Sequence, residues 1–371
     1  MSNGFDTASH CPLVSVIIPM FNSAKFIPQT LESLLYQTMT DFEVIVVDDC
    51  STDNGVEVVM KFSKRFGGRL RVLILTENTG MPGVPRNLGI QTARGKYIAF
   101  LDSDDLFTKT ALEELTTLAE KYQADVVRLH KNFCLQEGKV TSIYLPAMTD
   151  MTELTNPKNF TVASYDEENL DEPTLELNDT GARVRKWINS EANAFWATWL
   201  MFYRKNFLVD NDIFFPSMLT CEDAPFAFKA LCLAKNYLNV PNIVCIIRPR
   251  QGSVSRDTAE ISFEENVSKR TRALIDGCKE FESIMDEIDF FQKNPDVRYS
   301  VLAWFANYRI SITAKFYRKH TALELNELVK KEFNTFDAEL MAYLFNTVNV
   351  QQNQIKELQA ANENLSAQIN S

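Results

Sequence analysis

The sequence predicts an α/β protein with a mostly parallel sheet covered by helices on both faces, followed by a helical region and a short coiled coil. Over roughly the first 130 residues, short apolar runs of strand length alternate with segments of helical period. The apolar runs lack the alternation of a half-exposed sheet, which is typical of parallel strands buried on both faces. From about residue 260 to 346 the pattern is that of amphipathic helices. A heptad repeat follows from Val348.

The elements follow in chain order. The predicted strands are Leu13–Ile18, Phe42–Val47, Leu70–Leu75, Tyr97–Leu101 and Ala124–Leu129. The predicted helices are a segment from Phe26 to Leu35 that Asn22 or Ser23 can cap, then Val56–Phe66, Val84–Arg94 and Thr110–Tyr122. Right-handed crossovers place the loops after parallel strands on one edge of the sheet. We therefore expect the ligand site at that edge, outside the carboxyl ends of the strands.

The later segments differ in character. Residues 148–180 carry nine acidic residues and a single lysine, Lys158, which predicts an irregular solvated loop, either a disordered insertion or a lid on the acceptor side. In the tail, Val348, Ile355, Asn362 and Ile369 are seven residues apart, and Gln351, Leu358 and Leu365 follow three residues after the first three. This a/d pattern predicts a coiled coil at 347–371 that makes a homo-oligomer, dimer or trimer. The alternative is a helix packed on its own domain.

Composition excludes several classes of protein. The chain of 371 residues is 45% hydrophobic with a net charge of −11, which argues against disorder and against a nucleic-acid binder. It has no apolar run of membrane-spanning length, no secretory signal, three histidines and seven cysteines without a CxxC pair. We expect a cytoplasmic protein without disulfides or a zinc site. The basic stretches 269–272 and 315–320 are solvated helix faces or contacts to a phosphate-bearing acceptor or the inner membrane face.

Aspartates cluster where two predicted strands end. Asp48 and Asp49 close the second strand, and Asp102, Asp104 and Asp105 follow the fourth. Carboxylates gathered at one sheet edge repel one another unless a cation intervenes, and Mg²⁺ or Mn²⁺ prefers such oxygen ligands. The alternative is that these side chains cap the helices that follow.

Four motifs occur in order at near-standard spacing: Val16–Asn22 (VIIPMFN), Val47–Asp53 (VDDCSTD), Pro85–Gly89 (PRNLG) and Leu101–Asp105 (LDSDD). Together they resemble the donor-binding half of a family 2 glycosyltransferase with the GT-A fold. Cys221–Phe226 (CEDAPF) is similar to the family's acceptor-side Glu-Asp motif. The resemblance covers about 13–135 and 195–256 but not 260–371. It implies a GT-A catalytic domain at 11–256, with donor half 13–135 and acceptor half 185–256, then a helical domain at 257–346.

The resemblance implies roles for individual residues. It places Pro19, Phe21 and Asn22 beside the base and ribose, Asp48 or Asp49 as hydrogen-bond acceptor for the base, Arg86 near the nucleotide, and Asp102 and Ser103 in the donor site. Asp104 would hold the metal and Asp223 would be the catalytic base, with Glu222 touching the donor sugar or the acceptor. Arg250 stands near a position where some members carry a histidine metal ligand, so it would contact the diphosphate or lie in an exposed turn. For Glu222 and Asp223 the alternative is an acidic helix N-terminus.

The implied function is metal-dependent, inverting transfer of a sugar from a nucleotide sugar, with UDP favoured as the nucleotide, to a hydroxyl of a bacterial surface glycan, lipid-linked or polymeric. The implied cofactor is Mn²⁺ or Mg²⁺. A nucleotidyltransferase would need a phosphate loop rich in glycine and lysine, which Val14–Asn22 does not show. A non-catalytic scaffold would have lost the metal or base carboxylates, whereas Asp102, Asp104 and Asp223 are all present.

Overall fold

The computed structural model describes residues 11–135, 160–164, 170–189, 196–218, 220–248 and 263–317. The chain divides into two compact units, Met1–Val254 and Ser255–Ser371. Within the described ranges, no helix is long and apolar enough to cross a bilayer.

The first unit is built on a sheet of eight strands in the order β3-β2-β1-β4-β10-β6-β11-β9. These strands are β1 Val14–Met20, β2 Phe42–Asp48, β3 Leu70–Ile74, β4 Tyr97–Phe100, β6 Val126–Leu129, β9 Thr174–Leu175, β10 Met201–Arg204 and β11 Tyr237–Val240. The first four in the order pair in parallel, and β6 pairs in parallel with β11. Two strands run against the rest, since β10 is antiparallel to β4 and β6, and β9 is antiparallel to β11. The predicted mostly parallel α/β fold is confirmed.

The helices of this unit lie where the sequence predicts them in the donor-side part. They are α1 Ile27–Leu35, α2 Gly55–Phe66, α3 Gly83–Thr92, α4 Ala111–Tyr122, α5 Thr180–Asn189, α6 Lys205–Asp210 and α7 Asp223–Leu233. The predicted cap of α1 is wrong. Its N-cap is Phe26, and no side chain caps the helix, because the backbone carbonyl of Ser23 accepts the amides of Phe26 and Ile27.

A smaller sheet has the order β5-β12-β7-β8, with β5 Leu106–Phe107, β7 Lys131–Leu135, β8 Phe160–Ser164 and β12 Cys245–Ile247. Within 148–180 the described residues include two strands, so the prediction of an irregular loop is wrong for 160–164 and 174–175. Residues 160–164 pair antiparallel with β7, and Thr174 and Leu175 pair with β11. These strands are two to five residues long, so each gains its order from the neighbouring strand and little from its own pattern.

Helix α3 packs closely against strand β1, and this contact fixes the position of the helix on the sheet. A Cβ added at Gly89 would lie 2.3 Å from Cγ2 of Ile17, so only glycine allows the helix to approach the strand this closely. Ile17 and Ile90 are fully buried at this contact. The helix therefore lies on the sheet with its first turns near the carboxyl ends of β1 and β4.

In the second unit the described residues form the helices α8 Phe263–Asp286, α9 Asp289–Lys293 and α10 Pro295–Tyr317. Phe281 and Phe305 are fully buried and their rings lie 4.8 Å apart, so α8 and α10 pack through an aromatic contact. A helical C-terminal region is confirmed for 263–317. The predicted coiled coil, and the homo-oligomer that depends on it, fall outside the described residues, and the predicted subdivision into donor and acceptor halves stays a prediction.

Candidate active site

The loops that follow β1 and β2 are joined to each other at the carboxyl edge of the sheet. The amide of Asp49 donates to the carbonyl of Met20 at 2.7 Å, and the amide of Asn22 donates to Ser51 Oγ at 2.9 Å. Asn22 Oδ1 accepts from the amides of Thr52 and Asp53 at 2.8 and 3.2 Å. Asn22 has φ 47°, a left-handed conformation that asparagine tolerates. Its side chain therefore holds the second loop and does not cap α1.

Asp48 and Asp49 are both buried but have different partners. Both oxygens of Asp48 accept from Ser51: Oδ1 from the hydroxyl at 2.5 Å and Oδ2 from the amide at 3.0 Å. Asp49 accepts through Oδ1 alone, from the amide and the hydroxyl of Thr79 at 2.9 Å each. Among the described residues Asp49 Oδ2 makes no hydrogen bond. Of the two aspartates that the family resemblance left open, Asp49 retains an acceptor for a ligand.

The loop after β4 carries the predicted metal residue Asp104 and the donor residues Asp102 and Ser103. Ser103 is buried. Its Oγ lies 2.7 Å from Ser23 Oγ, and its carbonyl accepts from Thr30 Oγ1 at 2.9 Å. Asp102 and Asp104 are partly exposed. Ser103 thus anchors the loop after β4 to Ser23 and Thr30, while Asp102 and Asp104 on either side of it reach the surface.

Negative charge accumulates in this loop. Asp105 is buried, and its burial together with the charges of Asp104 and Asp102 raises its pKa well above its usual range. The amide and the charge of Arg248 oppose this rise, with the amide donating to Asp105 Oδ1 at 2.8 Å. Within the described residues no three His, Cys, Asp or Glu side chains are arranged to hold a metal ion by themselves. These side chains alone therefore do not complete a metal site.

A buried arginine joins the donor side to the acceptor side. Arg86 Nη2 lies 3.0 Å from Asp102 Oδ1, and Arg86 Nη1 lies 2.9 Å from Asp223 Oδ1 and 3.4 Å from Glu222 Oε1. We call these four residues the Arg86 cluster. The side chains of Arg86 and Glu222 are each 4% exposed, whereas those of Asp102 and Asp223 are 32% and 27% exposed. One guanidinium thus serves three carboxylates, two of which reach solvent.

Burial and neighbouring negative charge raise the pKa values of two carboxyl groups in the cluster, Glu222 and Asp223. Burial, together with the charge of Asp223, raises the pKa of Glu222 to about 7, although Arg86 opposes the rise. Burial also raises the pKa of Asp223, against the lowering effects of Arg86 and of a backbone hydrogen bond with Thr198. The three carboxylates raise the pKa of Arg86 despite its burial. The cluster therefore holds a permanent cation beside two carboxyl groups that bind protons more readily than usual.

Glu222 and Asp223 begin α7, so the helix-terminus alternative describes their position correctly. Glu222 is the N-cap residue, but its side chain makes no capping hydrogen bond and faces Arg86 instead. Cys221, the preceding residue, has φ 69°, an uncommon conformation for a non-glycine residue that recurs at functional sites. The start of α7 therefore serves to aim two carboxylates into the site.

Phe21 and Pro19 lie at the end of β1. The side chain of Phe21 is 44% exposed, while Pro19 is buried in the strand and pairs with Val47. Pro19 is tolerated in a central strand because pairing with β4 ends at Ile17, so its missing N–H leaves no gap in that ladder. Arg250 lies outside the described residues.

Sequence reasoning missed two groups of supporting residues. Thr79 donates to Asp49 and orients it. Asn87 hydrogen-bonds the backbone of Phe215, whose ring contacts Arg86. Asn87 belongs to the PRNLG motif but received no role, because its partner is 128 residues away. Phe215 lies in an apolar segment that carries no recognisable signal.

The chain is similar to known glycosyltransferases. The sequence profile of Glycosyl transferase family 2 matches residues 15–164. The poly(ribitol-phosphate) beta-N-acetylglucosaminyltransferase TarS of Staphylococcus aureus is 32% identical over 232 residues, which cover 62% of this chain and 33% of TarS. This chain thus spans about a third of the length of that relative. The uncharacterized glycosyltransferase EpsJ of Bacillus subtilis is 31% identical over 270 residues, which cover 71% of this chain and 69% of EpsJ.

Among solved structures, that of S. aureus TarS residues 1–349 in complex with UDP-GlcNAc superposes with a TM-score of 0.57 at 23% identity, covering 92% of this chain and 91% of that one. At that identity the likeness establishes the fold, which is GT-A. The identity to EpsJ extends across more than two thirds of that protein, and the family profile matches the part of the chain that holds the donor-side motifs. The chain belongs to glycosyl transferase family 2.

Proposed function

We propose that the enzyme transfers a sugar from a UDP-sugar to a hydroxyl group of a bacterial surface glycan, with inversion at the anomeric carbon and with the help of a divalent cation. The observation that carries the proposal is the Arg86 cluster. It joins Asp102 of the donor side to Glu222 and Asp223 of the acceptor side around one buried guanidinium. A group that activates an acceptor must lie beside the group that binds the donor, and this cluster meets that need.

The donor's base is assigned to the loops after β1 and β2. Asp49 Oδ2 would accept a hydrogen bond from the base, since Thr79 occupies only Oδ1. Each oxygen of Asp48 already accepts a hydrogen bond from Ser51, whereas Asp49 Oδ2 accepts none among the described residues, so Asp49 is the favoured partner of the base and Asp48 would shape the loop. The exposed ring of Phe21 offers an aromatic face at the same edge. Asn22 and Pro19 would border this pocket.

Asp223 is assigned as the base. In the proposed step the acceptor oxygen forms a bond to the anomeric carbon, the bond from that carbon to the diphosphate breaks, and its electron pair leaves with UDP. The acceptor's hydroxyl proton passes to Asp223. A raised pKa brings a carboxylate closer to the operating pH and makes it a better proton acceptor, while Arg86 keeps it ionised. Glu222, buried beside it, would contact the donor sugar or the acceptor.

Asp104 is assigned to a Mn²⁺ or Mg²⁺ ion. Burial and the neighbouring charges of Asp104 and Asp102 raise the pKa of Asp105, so this loop holds carboxylates close together, and carboxylate oxygens are the ligands these ions prefer. The described residues alone supply too few ligands, so diphosphate oxygens would complete the shell. Such an ion would stabilise the charge that develops on the leaving diphosphate.

The proposed class of acceptor is inferred from the names of the relatives. TarS acts on poly(ribitol-phosphate) according to its name, and other relatives include a putative teichuronic acid biosynthesis glycosyltransferase, TuaG of B. subtilis. These names favour a polymeric surface glycan with repeated hydroxyl groups. We expect the enzyme to work in the cytoplasm or at the inner face of the membrane, where nucleotide sugars are made.

A thermal-shift screen of nucleotide sugars with and without Mn²⁺ tests the donor and the metal together. A ligand at 100 times its Kd adds about 2.7 kcal/mol to the free energy of unfolding, which such a screen detects. We expect UDP-sugars to raise Tm in Mn²⁺ and to do so far less in excess chelator. Release of free UDP on addition of poly(ribitol phosphate) then identifies transfer. Full turnover in excess chelator would exclude Asp104 as a metal ligand, and donor binding without any release would indicate a scaffold.

A further inference from the structure

Asn87 follows Arg86 on α3, and its side-chain amide pairs with the backbone of a distant residue. Asn87 Nδ2 donates to the carbonyl of Phe215 at 2.8 Å, and Asn87 Oδ1 accepts from the amide of Phe215 at 2.8 Å. Both polar groups of one backbone unit are therefore satisfied by one side chain, as a neighbouring strand would satisfy them. The segment before α7 is thereby fixed to α3, which carries Arg86.

The ring of Phe215 contacts both Arg86 and the helix that carries Asp223. It stacks on Phe226 of α7 with centroids 3.9 Å apart and an interplanar angle of 6°. The guanidinium carbon of Arg86 lies 5.4 Å from the centre of the same ring, within the range of a cation–π contact. Phe226 is three residues after Asp223, so the ring contacts the helix that carries the base as well as the arginine that faces it.

The first residue of α3 passes close to this segment. A Cβ added at Gly83 would lie 3.1 Å from Phe215 Cβ and 3.1 Å from Glu222 Cγ, which is tighter than a normal contact. Glycine therefore lets α3 approach both Phe215 and Glu222 closely. A displacement of Phe215 would accordingly be felt by α3, because protein interiors are closely packed.

We propose that Asn87 is a positioning residue for sugar transfer: by clamping Phe215 it sets the Arg86 guanidinium relative to Asp223 and Glu222. The reason lies in the geometry of the cluster. Arg86 Nη1 is 2.9 Å from Asp223 but 3.4 Å from Glu222, so a small movement of the ring beneath it changes which carboxylate it favours. This inference rests on the proposed role of Asp223 as the base. Asn87 lies beneath the cluster and acts through Phe215.

Asn87→Ala tests the clamp, with Asn211→Ala as the matched control. Asn211 lies four residues before Phe215 and also donates to a backbone carbonyl, that of Phe207, at 2.8 Å; among the described residues it forms no hydrogen bond or ion pair with the cluster. Misplacement of reacting groups by about 1 Å costs on the order of 100-fold in rate. We expect Asn87→Ala to lower kcat by about 10–100-fold. The Kd of the donor, measured by calorimetry with UDP-GlcNAc as the probe, should stay within about threefold.

Two further variants separate positioning from a loss of folding. Asn87→Gln keeps the amide on a longer arm, so part of kcat should return relative to alanine. Phe215→Leu keeps apolar volume but removes the ring beneath Arg86, so it should lower kcat in the same way. A fall in kcat no greater than that of Asn211→Ala would overturn the proposal. So would a rise in donor Kd that matches the whole loss in kcat/KM, since that would indicate a role in binding alone.

Failure of the clamp is distinguishable from failure of the proposed function. If Asp223→Asn keeps full kcat, the base assignment fails, yet the Asn87 variants still report on positioning. If the wild-type protein releases UDP from no donor, UDP-sugar transfer fails. Hydrogen exchange of the Phe215 amide then decides, because Asn87→Ala removes its acceptor. An amide that exchanges no faster in Asn87→Ala than in wild type would overturn the clamp.

Discussion

The donor-side loops and the start of α7 hold their carboxylates in different ways. Asp48 and Asp49 accept hydrogen bonds from neutral groups of Ser51 and Thr79, three and 30 residues away. Glu222 and Asp223 instead face a guanidinium that comes from 136 and 137 residues earlier in the chain. The donor side thus relies on turn geometry, whereas the acceptor side relies on a buried charge.

This difference has energetic consequences. Hydrogen bonds from neutral donors to a carboxylate can be lost one at a time, each at a cost of about 1.5–3 kcal/mol. A buried cation shared by three carboxylates is a unit, because removal of the arginine leaves unpaired charge in a site of low dielectric. We therefore expect variants of the acceptor side to have the larger effects, on kcat and on the free energy of unfolding. Variants of the donor side should mainly weaken the Kd of the donor.

The largest effect is expected for Asp223→Asn, which keeps the shape and removes the base. Loss of a positioned base costs about 10²–10⁴-fold in rate, so kcat should fall by that factor while the donor Kd is nearly kept. Asp49→Asn is the contrasting variant, and there the donor Kd should weaken with little change in kcat. Initial rates and calorimetry measure both quantities. If Asp223→Asn kept the wild-type kcat, Asp223 would be excluded as the base and Glu222 would be the next candidate.

Arg86→Ala should destabilise the fold as well as the site. Breaking a buried ion pair costs about 3–5 kcal/mol, and we expect a fall of that size in the free energy of unfolding. Arg65→Ala is the matched control. The guanidinium of Arg65 forms an ion pair with Glu32 but is about half exposed, so its removal should cost at most about 1 kcal/mol. Urea titration at fixed pH measures both, and equal losses would contradict the view that burial of Arg86 makes its ion pairs the costlier ones to remove.

Glu222 should make stability depend on pH. Its pKa is about 7 in the folded protein, above the usual 4.5, because of burial and the charge of Asp223. The folded state then binds this proton more tightly than the unfolded state, so the stability it contributes is fully present below pH 4.5 and is lost as pH rises towards 7. The slope approaches about 1.4 kcal/mol per pH unit for one group. Glu222→Gln should flatten the change in urea midpoint between pH 5 and 8 (roughly the window of this proton).

The smallest effect is expected for Thr79→Val on the donor side. The variant removes the hydroxyl that donates to Asp49 Oδ1 but keeps the backbone amide on the same oxygen. Because one donor remains, the Kd of UDP should weaken by no more than about tenfold, and kcat should be unchanged. Calorimetry with UDP measures it. A large fall in kcat would mean that the donor loops and the base are coupled more closely than the contacts indicate.

Much of the donor side could be predicted because its information is local. The strands β1 to β4 are apolar runs ended by polar turns, and the aspartates follow them directly, so pattern and position agree. The family motifs placed Arg86, Asp102 and Asp223 in one site, and the structure brings all three together. These residues sit at the ends of strands or helices, where sequence signals are strongest.

The remainder depends on pairing between distant segments, which local patterns do not encode. Residues 160–164 form a strand by pairing antiparallel with β7. Asn22 has the residue type of a helix cap, but nearby amides of Thr52 and Asp53 bind its side chain instead. The clamp between Asn87 and Phe215 is likewise invisible until α3 and the segment before α7 are in place.

The position of β10 has a consequence for synthesis of the chain. This strand, Met201–Arg204, fills the gap between β4 and β6, although both of those strands are complete by Leu129. Translation at about 5–20 residues per second leaves the two facing edges without their partner for roughly 4–15 s. During that time the nascent protein exposes open strand edges, which favour pairing with other chains. We expect holdase chaperones to be needed most in this interval, and slowing translation between codons 130 and 204 to increase aggregation.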